Sequence, residues 1–275
     1  MWPFCGIEHY AYQKRHLKNY SNQSRDHNEF GFDFDKIFWK LKIKFFSKKK
    51  FNLIAPSKWM AYNLKKSQVF KKSKTTILPP MIDLNKWSNF SIKKTINRKK
   101  KILLFSGTSS VNYRKGFNYL SDAINKYLPE DEYVLIVIGD KPKEFENTKI
   151  EKKYLGYIEK ESDLIKIYRM ADIFVLPSLA ESFGQVFLEA AAVGMPSVAF
   201  SNTAASEVIT HKKNGYLAKY LSSKDIAKGI LWSKNNLLSK KIKIRIKKNI
   251  KEKFSSQNRL KEYINLYKNI YRNVD

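Results

Sequence analysis

The chain has 275 residues, 43% hydrophobic and 14% aromatic, enough for a sizeable core in one large domain or two small ones. Its 53 Lys+Arg against 25 Asp+Glu leave a net charge of +28, so polyanions are the natural partners: nucleic acid, anionic membrane or a phosphorylated small molecule. A single cysteine, Cys5, excludes an intrachain disulfide framework, and no apolar run approaches the ~18 residues that span a bilayer.

The spacing of apolar residues predicts elements along the whole chain. A helix is expected over Phe34–Phe46, a strand over Phe51–Ala55, a helix over Lys58–Val69 behind a Ser57 cap, and a short strand over Thr75–Leu78. Ser88–Lys100 is polar and basic and reads as a linker. From there strands and helices alternate: strand Lys101–Gly107, helix Phe117–Leu128, strand Tyr133–Gly139, a weaker strand Lys153–Ile158, helix Glu161–Met170, strand Asp172–Pro177, helix Gln185–Val193 and strand Ser197–Phe200. KILLFSG and YVLIVIG are near-continuous apolar runs, as buried parallel strands require. This order implies a doubly wound parallel sheet. Three helices are expected after it: Ser223–Lys234, Leu238–Lys253 and Ser256–Arg272.

Two loops could carry chemistry. The first runs from Gly107 and Thr108 to Arg114, Lys115 and Gly116, after a strand and before a helix. Small residues let the backbone approach a ligand, and the unpaired N–H groups and dipole of the helix start favour phosphate. Arg114 and Lys115 could then neutralise a diphosphate. An ordinary polar loop would look the same, so this feature alone decides little.

The second is Glu181-Ser182-Phe183-Gly184-Gln185-Val186-Phe187-Leu188-Glu189. Gly184 permits a turn that exposes backbone donors, and Glu189 falls about one helical turn later. A carboxylate there can accept two vicinal hydroxyls, as the acidic residue of dinucleotide-binding folds does for ribose. Two glutamates near a helix start are also what the dipole favours without any ligand.

The whole string resembles the glutamate–seven residues–glutamate motif of the retaining glycosyltransferases of family 4, also called group 1. The likeness extends in order to Gly156-Tyr157-Ile158, to Tyr168–Ser178, to Glu207-Val208-Ile209 and to Asn214-Gly215-Tyr216-Leu217. Asn52–Trp59 and Ile77–Asp83 look like the stretch that precedes the nucleotide-binding domain. Met1–Tyr10 resembles a tryptophan-proline-phenylalanine segment of members that build bacterial surface polysaccharide and lipopolysaccharide.

The resemblance implies a GT-B-like α/β fold with one complete Rossmann-like doubly wound domain over residues 98–255. The rest of such a protein, residues 1–97, would be the remnant of a truncated second Rossmann-like domain on the acceptor side, with the helix over 256–272 packing back on it. It also implies roles. Arg114 and Lys115 would hold the donor diphosphate, Glu189 the ribose, and Glu181 the donor sugar. Gly107, Thr108, Ser182, Phe183, Gly184, Gln185 and Val186 would line the donor site, and Glu207 would be structural. Many members carry arginine where this chain has Thr108, which leaves the donor charge to Arg114 and Lys115. Arg114 and Lys115 would be catalytic by stabilising a departing nucleoside diphosphate, and Glu181 through its contact with the donor sugar; no metal and no other cofactor are expected.

The implied partners are a nucleotide sugar and a glycan or lipid-linked acceptor. An anionic membrane surface and a separately encoded N-terminal half are further expected partners; nucleic acid is not, because nothing beyond charge speaks for it. A start without basic n-region or apolar h-region predicts a cytoplasmic protein, peripheral on the inner membrane face. A second reading is a fragment that binds nucleotide sugar and turns over little or none.

Overall fold

The computed structural model describes residues 4–7, 15–26, 29–88, 99–107 and 113–272. The chain divides into two compact units, one of Met1–Pro79 with Lys261–Asp275 and one of Pro80–Leu260. The domain boundary expected at residue 97 falls in 89–98, outside the described residues; the compact units instead divide after Pro79.

In the smaller unit α1 (Phe34–Phe46) begins where the Asp33 carboxylate accepts from the Lys36 amide at 3.0 Å. β1 (Asn52–Ala55) leads to α2 (Lys58–Lys66), whose first turn is capped by Ser57 through the Met60 amide at 2.9 Å. The helix stops short of the expected Val69 because Ser67 is already extended. β2 (Lys74–Ile77) pairs with β1 in parallel. Met60, Leu64 and Ala55 close a small core with Phe4 and Cys5. Beside it lies Arg15, 1% exposed, ion-paired to Asp33 at 2.5 Å and to Asp35 at 3.5 Å. A charge so buried is tolerable only when paired. The apolar side chains of Phe34, Phe38, Leu41 and Phe45 on α1 remain largely exposed.

The larger unit opens with α3 (Leu84–Ser88), which the periodicity did not announce. Its sheet then follows: β3 (Lys101–Gly107), α4 (Phe117–Tyr127), β4 (Tyr133–Gly139), β5 (Glu151–Tyr154), α5 (Glu161–Met170), β6 (Ile173–Val175), α6 (Gln185–Ala192), β7 (Ser197–Phe200) and β8 (Gly215–Ala218). α7 (Ser223–Asn236), α8 (Lys240–Phe254) and α9 (Ser256–Tyr271) complete the chain, and from Lys261 on α9 belongs to the smaller unit. There Tyr263 donates towards the carbonyls of Leu78 and Pro79 at 3.5 and 3.4 Å.

The sheet is parallel throughout, in the order β5-β4-β3-β6-β7-β8. The interiors of β3, β4, β6 and β7 are buried, which is why their sequences are apolar without alternation. β5 departs from expectation: it is an edge strand, spelled EKKY, and it runs from Glu151 to Tyr154 rather than from Lys153 to Ile158. Gly156 at φ +65° turns the chain and bridges back to Gly139 in antiparallel sense.

Strand order reverses between β3 and β6. The connection from β3 leads to β4 on one side, and the connection from β6 leads to β7 on the other. A crevice therefore opens at the carboxyl ends of these two strands, where open α/β sheets bind ligands. The two loops singled out in the sequence are the loops that border it.

Candidate active site

After β3 the described chain resumes in a 3-10 turn, Tyr113–Lys115, and enters α4 through Gly116 in the left-handed region at φ +74°. Thr108, expected to line the donor site, lies in 108–112, outside the described residues. Gly107 ends β3 and is buried.

The two loops are locked together. The Leu179 amide donates to the Arg114 carbonyl at 2.7 Å, and an Arg114 guanidinium nitrogen donates to the Ala180 carbonyl at 3.0 Å. A Cβ on Gly116 would fall 2.0 Å from the Pro177 carbonyl oxygen, so only glycine fits that crossing. Tyr220 adds a hydroxyl bond to the Leu179 carbonyl at 3.3 Å.

This brings three expected residues together. Arg114 and Lys115 lie 3.6 and 3.8 Å from the same carboxylate oxygen of Glu181, with side chains 6%, 14% and 13% exposed respectively. Burial lowers the pKa of Lys115, the Glu181 carboxylate opposes that fall, and Arg114 adds to it. Glu181 is pinned through its own carbonyl, which accepts from the Ala204 amide at 3.2 Å. Gly184 follows at φ +82°, and a Cβ there would meet the Phe187 ring at 2.4 Å and the Glu181 Cγ at 3.1 Å. The turn at Gly184 starts α6, so the first amides of that helix open at the same end of the sheet. Phe183 is buried against Phe254, Ser182 and Val186 are half-buried, and Gln185 is exposed.

Glu189, in the body of α6, is set apart in character. Burial pushes its carboxyl up to about 7; the Tyr168 hydroxyl pulls it down and Glu161 adds to the rise. Tyr168 is fully buried, stacked on Phe174 and edge-on to Trp87. Its hydroxyl faces Glu189 and Ser106 but completes no hydrogen bond of ordinary geometry. Neither Tyr168 nor Ser106 is among the site residues expected from the sequence. The available signal was a polar-tipped aromatic on the otherwise apolar face of α5. Glu207 ends a 3-10 turn, Ala204–Glu207, held by the Thr203 hydroxyl.

A parallel sheet with two cations, a carboxylate and a helix start at its switch point can take a phosphorylated ligand. The family model described as glycosyl transferases group 1 matches residues 88–253. The chain belongs to this family. An uncharacterized glycosyltransferase of Methanocaldococcus jannaschii is 32% identical over 187 residues, covering 63% of this chain and 46% of that protein. The chain spans about half the length of the curated relatives it matches. At the level of fold it is similar to sucrose-phosphate synthase from Thermosynechococcus elongatus, with a TM-score of 0.72 at 17% identity, covering 93% of this chain and 65% of that one. Anabaena HepE in complex with UDP-glucose gives 0.60 at 18% identity, covering 78% and 63%. These are GT-B glycosyltransferase structures, and the α/β architecture with parallel sheets agrees with them. Among the described residues no helix is long and apolar enough to cross a membrane.

Proposed function

We propose that the chain binds a nucleoside-diphosphate sugar at the β3–β6 switch point and transfers the sugar to a glycan or lipid-linked acceptor with retention of configuration. The observation that carries this reading is the clustering of Arg114, Lys115 and Glu181 at the carboxyl end of the sheet, beside the start of α6. When the bond from sugar to diphosphate breaks, negative charge accumulates on the leaving oxygen. Arg114 and Lys115 are held in place beforehand and shielded from water, so their attraction grows as that charge develops. They supply this charge without a metal or another cofactor. Glu189 takes the ribose hydroxyls, and Glu181 reaches the sugar.

Membership in this family and the likeness to a fold that holds UDP-glucose in Anabaena HepE support a nucleotide-sugar donor. Synthesis of bacterial surface polysaccharide or lipopolysaccharide fits the amino-terminal tryptophan-proline-phenylalanine segment. The net charge of +28 suits work at the anionic cytoplasmic membrane face. The acceptor side would be completed by a further N-terminal half.

Calorimetric titration with UDP-glucose and with the sugar esters of GDP and ADP tests the reading. One of them should bind, and Glu189→Ala should weaken it at least tenfold. Equal binding by the wild type and Glu189→Ala overturns the ribose assignment.

The raised carboxyl of Glu189 gives a second check. Its folded-state value, about 7, lies above the ordinary 4.5, so the folded protein keeps a proton that the unfolded chain releases between those values. Glu189 therefore costs nothing below about pH 4.5, and stability is lost progressively as pH rises to about 7. Glu189→Gln should gain thermal stability relative to the wild type as pH goes from 5 to 8. Ribose hydroxyls donate to the carboxylate form, and a nucleotide sugar, esterified at its diphosphate, does not titrate here. Donor affinity should thus rise roughly tenfold from pH 6 to 8, following the ionised fraction of Glu189. A flat profile would contradict the assignment.

A further inference from the structure

Glu181 is placed where a ligand phosphate would be expected. Its carboxylate oxygen is shared by the two cations of the β3 loop, at 3.6 and 3.8 Å. Its stem passes close to Gly184, with Cγ only 3.1 Å from the site of an added Cβ, so it lies beside the residue from which α6 starts. All three side chains are largely buried. Two cations at this depth repel one another, and the low effective dielectric strengthens both that repulsion and their attraction to an anion. In the unliganded protein the carboxylate is that anion.

A diphosphate drawn to the same two cations carries more charge than the carboxylate and is repelled by it, so the two anions compete for Arg114 and Lys115. We infer that Glu181 is an internal counter-ion that stands in for the donor diphosphate and must let go of Arg114 and Lys115 before the donor seats. This rests on the donor-site reading above. Release has two consequences. Glu181 competes with the phosphates and weakens ground-state binding of any nucleoside diphosphate. The same movement frees the carboxylate to meet the sugar, so that the sugar contact forms only once the diphosphate is home. A sugar lacking the diphosphate meets Glu181 still tied to its cations. The protein thereby favours diphosphate-linked sugars over free sugars.

Inorganic pyrophosphate is the probe that isolates this exchange, because it carries neither base nor sugar; UDP, GDP and ADP are its companions. Calorimetry on the wild type, Glu181→Gln and Lys115→Ala separates the possibilities, with thermal melts confirming that each variant is folded. Glutamine keeps the shape and removes the charge. Glu181→Gln should bind pyrophosphate and the preferred nucleoside diphosphate at least threefold more tightly, with a steeper loss on adding salt, while sugar transfer falls. Glu181→Ala should shift binding in the same direction. Lys115→Ala should weaken binding. If Lys115→Ala weakens the diphosphates but Glu181→Gln leaves them unchanged or weaker, the counter-ion inference is wrong and the donor site stands. If Lys115→Ala changes nothing, or none of the four ligands binds any variant, both are wrong.

Discussion

Replacing Lys115 with alanine should slow sugar transfer by about two to three orders of magnitude, the range seen when one preorganised donor to a developing negative charge is removed. The size of the effect follows from where the ammonium sits. Lys115 is 14% exposed and within 4 Å of an oxygen that Arg114 also approaches. Burial works against its charge, and the Glu181 carboxylate opposes that effect. Water cannot reorganise into that space to replace the lost ammonium at the moment the diphosphate departs. Arg114 remains after the substitution, so some attraction persists and donor affinity should fall less than turnover. Lys115→Arg keeps the charge but asks a planar fork to fit a pocket shaped by a compact ammonium, and should recover only part of the rate. The measurement is steady-state transfer or donor hydrolysis alongside calorimetric affinity. A rate loss below tenfold in a protein that still binds donor would remove Lys115 from the chemistry.

Gly116→Ala should be the most damaging single methyl group in the larger unit. Two costs add. The residue sits at φ +74°, a region an L-residue enters at a cost of about 1–2 kcal/mol. The new Cβ would also stand 2.0 Å from a backbone oxygen, that of Pro177, which has no rotamer through which to escape. Either α4 or the loop after β6 must move, and the Arg114–Leu179 bond at 2.7 Å lies between them. A destabilisation of about 3 kcal/mol or more is expected. Donor binding should fall with it, because Arg114 and Lys115 directly precede the displaced residue. Thermal melting with and without donor checks both. A variant that melts with the wild type would mean that the crossing is looser than the distances say.

Much of the larger unit could be read in advance because its strands are buried on both faces. β3, β4 and β7, and also α1 and α5, begin and end where the sequence places them. In the strands KILLFSG, YVLIVIG and SVAF the apolar run alone marks the limits. The failures have the opposite cause. β5 is an edge strand whose charged side chains share its surface with water, so its register depends on pairing with β4 and not on its own pattern. β8, spelled GYLA, is the sheet's other edge, and α3 has only five residues, too few for a helical period to declare itself.

At the site, spacing placed Arg114, Lys115 and Glu181 in two loops that each follow a strand and precede a helix. The resemblance attached roles to them. Neither could show that the glutamate pairs with both cations, or that Glu189 is buried deeply enough to hold a proton near neutral pH. Those are properties of depth and of what neighbouring elements supply, and a linear pattern carries no depth.

The crossing of the loops after β3 and β6 has a bearing on how the protein can change over generations. Position 116 tolerates only a residue without a side chain because the carbonyl of position 177 passes so close, and position 179 donates its amide to position 114. Mutations in one loop are therefore filtered by the other. Related chains should vary here in concert, with a larger residue at 116 appearing only where the segment around 177 has been rebuilt. The charges carried by these loops can drift in identity far more readily than the backbone path that presents them.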